Sequence, residues 1–490
     1  MAAPIIDRQS EQAKLRELAE AGKPCIALIY GRRGVGKTYL LTHLWEKGRA
    51  FYFTASAVTP EQNRRRLIEE AAAWSGERLE PEDYPTWRTV FRLLLSLKSQ
   101  RSVAVVLDEF QYLGADESDL ATVTSELNAA WEGLRAPERS LLLVLSGSVA
   151  RMMEALDGGG APLHGRLAWK ARLAPFDYWD AAAMARFDLL RDRARAYGVF
   201  GGMPRYLAPI DPGRSLADNV AELMLSPRGE VRSQVETAIL QEQGLRDIPK
   251  YAGILRAIGG GRTELSRIAS RAGVANDTSL RDKVERLVRL GYAERHRNFD
   301  TGRTTPYRYR LADPAFMFYH AFVARLETAL EVNEPLEVWE AHVGPRLDAY
   351  MGHLFERVVE QAYHRRRKEE GLPLVQQWGR WEGADHAGES LEMDIVTRLM
   401  GGGMLTGAIK WSQSPAAIGL HRHHMRDLDR LALSGHRWAH EAREQGSFLL
   451  YAAAGGFEED FRERAEQDGL PVICWSLNDL YARAAEAGAV

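Results

Sequence analysis

Cysteine is scarce in this sequence: the 490 residues include two, Cys25 and Cys474, near opposite ends of the chain. This spacing excludes a disulfide framework and indicates a reducing compartment. Apolar runs long enough to span a bilayer are missing too, because the longest, such as 25–30 and 103–107, have the length of strands. Residues 1–15 lack the basic segment and apolar core of a secretory signal. We therefore expect a soluble, cytoplasmic protein without a membrane partner.

The chain has no large excess of charge of either sign, since 64 Lys and Arg residues face 67 Asp and Glu residues, for a net charge of −3. This balance excludes nucleic-acid binding through overall positive charge and leaves that role to a local basic patch. The length suggests roughly three to four domains. A hydrophobic share of 45% is enough for several buried cores.

Short apolar runs alternate with amphipathic segments of helix length in the N-terminal part of the chain. The predicted strands are 25–30, 50–55, 102–108 and 140–148. Near-continuous apolar strands separated by helices are typical of a parallel sheet with helices on both faces. We therefore predict an α/β fold for this region.

Two further regions follow. Predicted helices at 251–258, 263–271 and 278–290 precede a β-hairpin at 292–297 and 306–311, an order that indicates a winged helix. From about residue 340 a helix and several strands predict a second α/β unit without a phosphate loop. Its predicted elements are the helix 347–367 and the strands 390–399, 404–412, 447–453 and 471–477.

Residues 31–38, GRRGVGKT, match the phosphate-loop pattern G-x-x-x-x-G-K-[ST] at every fixed position. They follow a predicted strand and open a predicted helix, which is the context this loop needs. The glycines let the backbone approach phosphates closely, and the helix N-terminus adds positive dipole. We predict that the residues contacting a nucleotide are Gly31, Arg32, Arg33, Gly34, Val35, Gly36, Lys37, Thr38 and Tyr39.

Within that loop, Lys37 supplies a positive charge between the β- and γ-phosphates, and the Thr38 hydroxyl is a ligand for Mg²⁺. Asp108 and Glu109 follow the apolar run 103–107. An acid at the end of such a strand holds Mg²⁺, and the next acid polarises the attacking water. Two adjacent carboxylates favour hydrolysis of ATP over binding alone.

Polar residues further along complete the predicted site. Ser146 and Ser148 end the next strand and place a hydroxyl near the γ-phosphate as a sensor, although serines at strand ends are also common turn formers. Arg166 lies in a loop beyond that strand and is a candidate γ-phosphate contact, within one subunit or between two. Spacing alone favours an ordinary surface arginine at this position.

The order of these motifs resembles the prokaryotic ATPases near the AAA+/STAND boundary, widespread in archaea, that carry a C-terminal domain of unknown function. The resemblance covers nearly the whole chain, and the motifs that carry it are YGRRGVGKTYLL (30–41), LDEFQYL (107–113), LSGSVARMM (145–153), APLHGR (161–166), LAPFDYWDA (173–181) and GGMPRYL (201–207). It implies nucleotide and Mg²⁺ binding by Lys37 and Thr38, and metal binding and water activation by Asp108 and Glu109. It strengthens the assignment of Arg166.

The same resemblance implies that Pro204, in GGMPRYL, packs near the adenine, and that nucleotide state drives a conformational switch. The C-terminal domain resembles the PD-(D/E)XK nuclease fold. Glu356 or Glu360, Asp394 and Lys410 match that family's site residues. Its second carboxylate, expected two residues before Lys410, is replaced by Ala408, and losing a metal ligand should cripple so small a site. We therefore expect no nuclease activity and a fold retained for binding.

DNA is a candidate partner through the winged helix. The outer face of helix 278–290 mixes Arg286 and Arg289 with Asp282 and Glu285. The hairpin is more basic and offers phosphate contacts through Arg295, His296, Arg297, Arg303, Arg308 and Arg310. A solvated charged surface, or one that docks onto the ATPase, explains the same residues. HRHH (421–424) lacks a nearby Cys or carboxylate at ligand spacing, so we predict an exposed polar helix segment instead of a metal site.

These features predict a P-loop ATPase domain at 1–210, a helical lid or linker at 211–249, a winged helix at 250–330 and a degenerate nuclease-like domain at 331–490. ATP and Mg²⁺ are the expected ligands. The expected function is a Mg-dependent ATPase that switches conformation with its nucleotide. A DNA-binding regulator, an ATP-dependent nuclease and an ATPase that acts on a protein client are the alternatives, and the sequence leaves an oligomer open.

Overall fold

A computed structural model of the chain describes residues 5–46, 48–97, 103–133, 141–242, 245–301 and 305–482. It divides the chain into two compact units. The first is Met1–Pro175 with Glu242–Leu245, and the second is Phe176–Gln241 with Arg246–Val490. Among the described residues, no helix is both long enough and apolar enough to cross a bilayer.

The first unit is built on a five-stranded parallel sheet with the order β2-β3-β4-β1-β5. Its strands are β1 (Pro24–Tyr30), β2 (Ala50–Thr54), β3 (Val103–Asp108), β4 (Leu141–Gly147) and β5 (Leu167–Arg172). The described side chains of the central strands are almost all buried, as expected for a sheet covered on both faces. Because β4 lies between β1 and β3, its C-terminal end meets those of both neighbours.

Helices cover this sheet: α1 (Gln9–Ala19), α2 (Lys37–His43), α3 (Pro60–Ser75), α4 (Trp87–Ser96), α5 (Glu117–Glu132) and α6 (Ala150–Ala155). The helical stretch predicted from 61 to 97 is two helices, and local chemistry explains the break. Gly76 ends α3 in the left-handed conformation, and Thr86 begins α4 with a capping box.

Strand β5 was not predicted from the sequence. It pairs in parallel with β1 at the edge of the sheet, and its residues alternate between half-buried and exposed. An edge strand of this kind carries polar side chains such as Lys170, so it lacks the continuous apolar run that marks the central strands.

The second unit opens with helices α7 (Tyr178–Ala185), α8 (Leu190–Phe200), α9 (Pro204–Leu207), α10 (Leu216–Val220) and α11 (Glu230–Thr237). Helices α12 (Ile248–Gly259), α13 (Leu265–Ala272) and α14 (Thr278–Leu290) then lead into the antiparallel hairpin β6 (Ala293–His296) and β7 (Arg308–Leu311). Asp277 caps the start of α14, and Gly291 ends it in the left-handed conformation. Three helices and a hairpin thus lie where the sequence predicted them.

Helices α15 (Pro314–Ala321), α16 (Glu327–Val332), α17 (Pro335–Val338) and α18 (Gly344–Arg366) connect the hairpin to the C-terminal sheets. The remaining elements are β8 (Val375–Gln377), β9 (Trp381–Ala384), β10 (Ser390–Met393), β11 (Ile395–Leu399), β12 (Met404–Lys410), α19 (Gly419–Leu433), α20 (Arg437–Glu441), β13 (Phe448–Ala453), α21 (Phe461–Glu466), β14 (Val472–Ser476) and α22 (Leu477–Tyr481).

The C-terminal sheet is mixed. Its order is β14-β13-β12-β11-β8, with β12, β13 and β14 parallel to one another and β11 antiparallel to β12. The prediction of one strand at 390–399 was wrong, because Asp394 separates two strands in different sheets. Before it, β10 pairs with β9, and after it β11 joins the five-stranded sheet.

Candidate functional site

The phosphate-loop sequence occupies the connection between β1, which ends at Tyr30, and α2, which begins at Lys37. Gly36 has a φ of 94°, which side chains other than glycine adopt at a cost. A Cβ on Gly31 would lie 2.6 Å from the carbonyl oxygen of Leu173, so only glycine fits there. The glycines of the motif are therefore required by the backbone path of the loop.

Lys37 is buried, with 4% of its surface exposed. Its ammonium donates to the carbonyl oxygens of Gly31, at 2.9 Å, and Arg32, at 3.4 Å. Burial lowers the pKa of this ammonium, and the carboxylates of Glu109 and Asp108 partly offset that effect. The loop thus wraps around a buried positive charge, an arrangement that can bind the oxygens of a phosphate group.

Asp108 and Thr38 meet although they are 70 residues apart: the Thr38 hydroxyl donates to Asp108 Oδ2 at 2.7 Å. Asp108 is fully buried, and the Tyr52 hydroxyl donates to the same oxygen. Burial and the neighbouring Asp108 raise the pKa of the Tyr52 phenol, so it stays a donor at neutral pH. A hydroxyl and a carboxylate side by side are the hard oxygen ligands that Mg²⁺ takes, so these residues fit the metal.

Glu109 has the left-handed backbone φ of 52°, a strained conformation for a residue with a side chain. Ser148 Oγ donates to its Oε2 at 2.8 Å, and Gln111 Nε2 donates to the same oxygen. Gln111 also donates to Ser148 Oγ at 3.3 Å and is itself 2% exposed. Two polar side chains therefore hold the carboxylate of Glu109 in one position.

Of the two serines considered from the sequence, Ser148 is the one that contacts Glu109. Ser146 is fully buried within β4, and its hydroxyl has no hydrogen-bond partner among the described residues. Sequence reasoning missed Tyr52 and Gln111. Their positions in an apolar strand and in a short helical turn carry no signal that distinguishes them from core residues.

The other predicted nucleotide contacts lie around the loop. Val35 and Arg32 are buried, whereas Arg33 and Tyr39 are exposed, and the Tyr39 ring stacks on His43. Arg166 pairs with Glu132 of α5 at 2.6 Å, so its guanidinium contacts an acid of a neighbouring helix. Pro204 belongs to the second unit, where it occupies the first turn of α9.

The C-terminal candidates are partly brought together. Carboxylate oxygens of Glu356, Glu392 and Asp394 lie within 4.8 Å of one another. Burial raises the pKa of Asp394 to about 6, and Glu356 and Glu392 add to this shift. Glu392 was not predicted. Glu360 and Lys410 are not members of the cluster.

Arg380 neutralises much of this acidic cluster. Its guanidinium pairs with Glu392 and lies 3.6 Å from Glu356. A divalent cation would have to compete with an arginine that is already part of the fold. The residues present therefore fit an internal ion-pair network better than a two-carboxylate nuclease site with a lysine.

Three arginines of the hairpin are also paired with acids. Arg295 contacts Glu285 at 3.2 Å, Arg310 contacts Glu294, and Arg308 contacts Glu382 near the C-terminal sheet. Arg297 lies over the ring of Tyr307 at 3.6 Å. Arg303 falls outside the described residues.

The turn of the hairpin packs against the C-terminal sheets, which the sequence did not predict. Phe299 is 2% exposed and packs edge-on against Trp438, with ring centroids 5.9 Å apart. Its backbone N–H donates to the carbonyl of Arg380 at 2.9 Å. Asn298 exchanges hydrogen bonds with the backbone of Glu382. This face of the hairpin is a docking surface within the second unit.

The prediction that HRHH forms an exposed segment was wrong for two of its histidines. His421 and His424 are each 3% exposed. His421 contacts the Tyr451 hydroxyl and Asp468, each at 2.8 Å, and His424 contacts the Thr406 hydroxyl at 3.1 Å. Both rings are buried, and their partners lie in β12, in β13 and in the turn after α21.

Two family matches accompany this geometry. Residues 5–210 match the family described as an ATPase domain predominantly from Archaea, and residues 319–426 match a family of archaeal and bacterial proteins of unknown function. An uncharacterized protein of Methanocaldococcus jannaschii is 21% identical over 395 residues, which cover 79% of this chain and 83% of that relative.

Two solved structures show weaker likeness. A Walker-type ATPase of Pyrococcus abyssi is 22% identical with a TM-score of 0.47, covering 65% of this chain and 96% of that one. The ORC2 protein of Aeropyrum pernix, solved in ADPNP–ADP complexes, is 16% identical with a TM-score of 0.41, covering 66% of this chain and 96% of that one. Similarity at this level says nothing about the activity of the present chain.

Proposed function

Since the chain carries an archaeal-type P-loop ATPase domain followed by a C-terminal domain of unknown function, we propose that it is a Mg²⁺-dependent ATPase of the AAA+/STAND type. Its proposed output is a conformational switch driven by the bound nucleotide. One observation supports this above all others, the hydrogen bond from the Thr38 hydroxyl to Asp108. It joins the phosphate loop after β1, which carries the buried Lys37, to the two carboxylates that follow β3.

In the proposed reaction, water attacks the γ-phosphate in line with the leaving oxygen. Lys37 and the backbone N–H groups of the loop bind the phosphate oxygens and stabilise the charge that develops on them. Thr38 and Asp108 hold Mg²⁺, which neutralises the β- and γ-phosphates when bound. Glu109 accepts a hydrogen bond from the attacking water and polarises it.

Ser148 and Gln111 position Glu109 in this proposal. Both donate to its Oε2, which leaves Oε1 of the carboxylate for the water. A carboxylate held from one side keeps its orientation through the reaction, and such preorganisation lowers the cost of reaching the transition state. Ser148 therefore takes the place of the sensor hydroxyl expected from the sequence.

Two further residues keep their proposed roles. Arg166 is proposed to contact the γ-phosphate, which requires that its guanidinium leave Glu132. Their ion pair is exposed, so breaking it costs little free energy. Pro204 is proposed to pack near the adenine.

The second unit is proposed to contain the linker at 211–249, the winged helix at 250–330 and a C-terminal binding domain at 331–490. Ala408 in place of a carboxylate, and Arg380 within the acidic cluster, argue against nuclease activity. In the described part of the hairpin, Arg295, Arg308 and Arg310 face carboxylates, which argues against DNA binding by these residues.

Phosphate release from ATP tests the proposed reaction. We expect the purified protein to release phosphate from ATP when Mg²⁺ is present and to stop when EDTA removes the metal, because Thr38 and Asp108 then have no cation to hold. Release that continues unchanged in EDTA, or no release at any Mg²⁺ concentration, would exclude a Mg²⁺-dependent ATPase.

Replacing Tyr52 by phenylalanine tests the environment of the metal ligand. The change removes one hydrogen bond to Asp108 and keeps the ring in its place. Loss of such a supporting bond costs about tenfold or more in metal affinity. We therefore expect the Mg²⁺ concentration for half-maximal turnover to rise about tenfold, with the maximal rate at saturating Mg²⁺ less affected.

The matched control is Tyr84→Phe, which removes a phenol hydroxyl that is not bonded to Asp108. Its Mg²⁺ dependence should equal that of the wild type. If Tyr52→Phe also leaves the Mg²⁺ dependence unchanged, Asp108 is not the metal ligand proposed here.

A further inference from the structure

A cavity of about 620 Å³ in the second unit carries an unusual concentration of arginine. It lies among α11, α12, α13, α15 and the turns that follow α12 and α15. Four arginines line it and define what we term the arginine cavity: Arg256, Arg262, Arg271 and Arg325. All four are exposed, so an anion that enters the cavity reaches them without any rearrangement of the core.

None of these four guanidinium groups forms an ion pair within the described part of the chain. The arginines of the neighbouring hairpin behave differently, since Arg295 and Arg310 are matched by Glu285 and Glu294. Like charges that share a cavity repel one another, and a bound anion relieves that repulsion. The arginine cavity thus brings together four arginines without ion pairs to described residues, whereas Arg295 and Arg310 of the hairpin face carboxylates.

The acids of the arginine cavity do little to cancel this charge. Glu236 already accepts hydrogen bonds from Arg232, at 2.9 Å, and from the Tyr319 hydroxyl, at 3.1 Å. Glu327 is the other carboxylate in the lining. Four arginines against one uncommitted carboxylate leave a clear excess of positive charge.

His320 is a polar but uncharged residue in the lining of the arginine cavity. Burial, and to a smaller degree Arg256, lowers its pKa to about 4, so the imidazole is neutral at physiological pH. The ring packs against α12 so closely that a Cβ on Gly259 would lie 2.5 Å from its Cγ. A fixed neutral imidazole offers hydrogen bonding to a ligand without further repulsion among the cations.

We propose that the arginine cavity binds a small molecule that carries two or more linked phosphate groups. A guanidinium group can donate two parallel hydrogen bonds to the oxygens of one phosphate. Several guanidinium groups on one concave surface can therefore bind adjacent phosphate groups, whereas a ligand with one carboxylate would engage only part of them. The volume is that of a site for a small ligand. A duplex would instead need its phosphate contacts spread along an open face.

Calorimetric titration with inorganic tripolyphosphate tests this site. The titration uses Lys37→Ala protein, because the phosphate loop of the wild type would bind the same probe. We expect saturable binding that weakens at least about tenfold when Arg256→Ala and Arg271→Ala are added, since each removes a charge-assisted contact. All these side chains are exposed, so the variants should keep the wild-type circular dichroism spectrum.

Arg267→Ala is the matched control. Arg267 lies on α13 with Arg271 but pairs with Glu264 and is not part of the lining. Its removal should change the affinity by less than about twofold. This experiment does not depend on ATP hydrolysis. Hydrolysis is measured separately on the wild-type protein, so either proposal can fail without the other.

Three results would overturn the proposal. One is the absence of saturable tripolyphosphate binding, and another is equal affinity in the double variant and its parent. The third is binding of a short DNA duplex that depends on Arg256 and Arg271 and that tripolyphosphate does not displace, which would make the surface a nucleic-acid contact.

Discussion

Replacing Lys37 by alanine is expected to abolish tight binding of Mg·ATP. The ammonium is 4% exposed and is held by the carbonyls of Gly31 and Arg32, so it stands inside the loop before any phosphate arrives. Removing it takes the ammonium donor from the carbonyl of Gly31 and a buried positive charge from the phosphates. A lost charge-assisted bond in a buried site costs roughly 2–4 kcal/mol, which is about 30- to 1000-fold in affinity.

Equilibrium binding of a fluorescent ATP analogue measures this loss. Lys14→Ala is the control, because Lys14 lies on α1, pairs with Glu17 and should bind nucleotide like the wild type. An affinity of Lys37→Ala within a few fold of the wild type would show that the phosphates are bound elsewhere.

Glu109→Gln is expected to separate binding from turnover. Glutamine keeps the size of the side chain and its acceptor oxygen for Ser148, but it cannot polarise water as a carboxylate does. We expect nucleotide affinity within about threefold of the wild type and a rate of hydrolysis lower by a factor of about 10²–10⁴. Such a variant would hold ATP without consuming it.

Single-turnover hydrolysis and equilibrium binding, measured on the same preparation, decide between the two effects. Glu126→Gln is the control, since Glu126 pairs with Arg88 on the helical face of the first unit. If Glu109→Gln loses binding as severely as Lys37→Ala, Glu109 supports the fold of the site and is not the residue that activates water.

Local motifs explain what was predictable here. Gly31–Thr38 specify their own backbone path, and the flanking strand and helix follow from apolar runs and glycine positions. That Thr38 and Asp108 belong to one site was also predictable, because the phosphate loop follows β1, Asp108 ends β3, and parallel strands end at the same edge of a sheet. Central strands of such sheets have the continuous apolar runs that sequence analysis detects best.

What the sequence did not predict depends on side chains that meet only in the folded chain. Tyr52 and Gln111 reach Asp108 and Glu109 from positions that look like ordinary core. Strand β5 is polar on one side because it lies at the edge of the sheet. Arg380 joins Glu356 and Glu392 across segments with no common motif.

The hairpin shows most clearly how composition misleads. Its arginines indicated phosphate contacts, yet Arg308 pairs with Glu382, which is 74 residues away in sequence. Phe299, at the turn, is buried against Trp438. Whether a basic side chain is available to a ligand depends on acidic residues that are distant in the sequence. For the same reason, the sequence did not predict the arginine cavity.

Isothermal titration of the wild-type protein with Mg·ATP tests the central claim most directly. Saturable binding that Lys37→Ala weakens about 30-fold or more is the predicted result. No heat of binding, or binding that is equally strong in Lys37→Ala, would contradict a nucleotide site at residues 31–38.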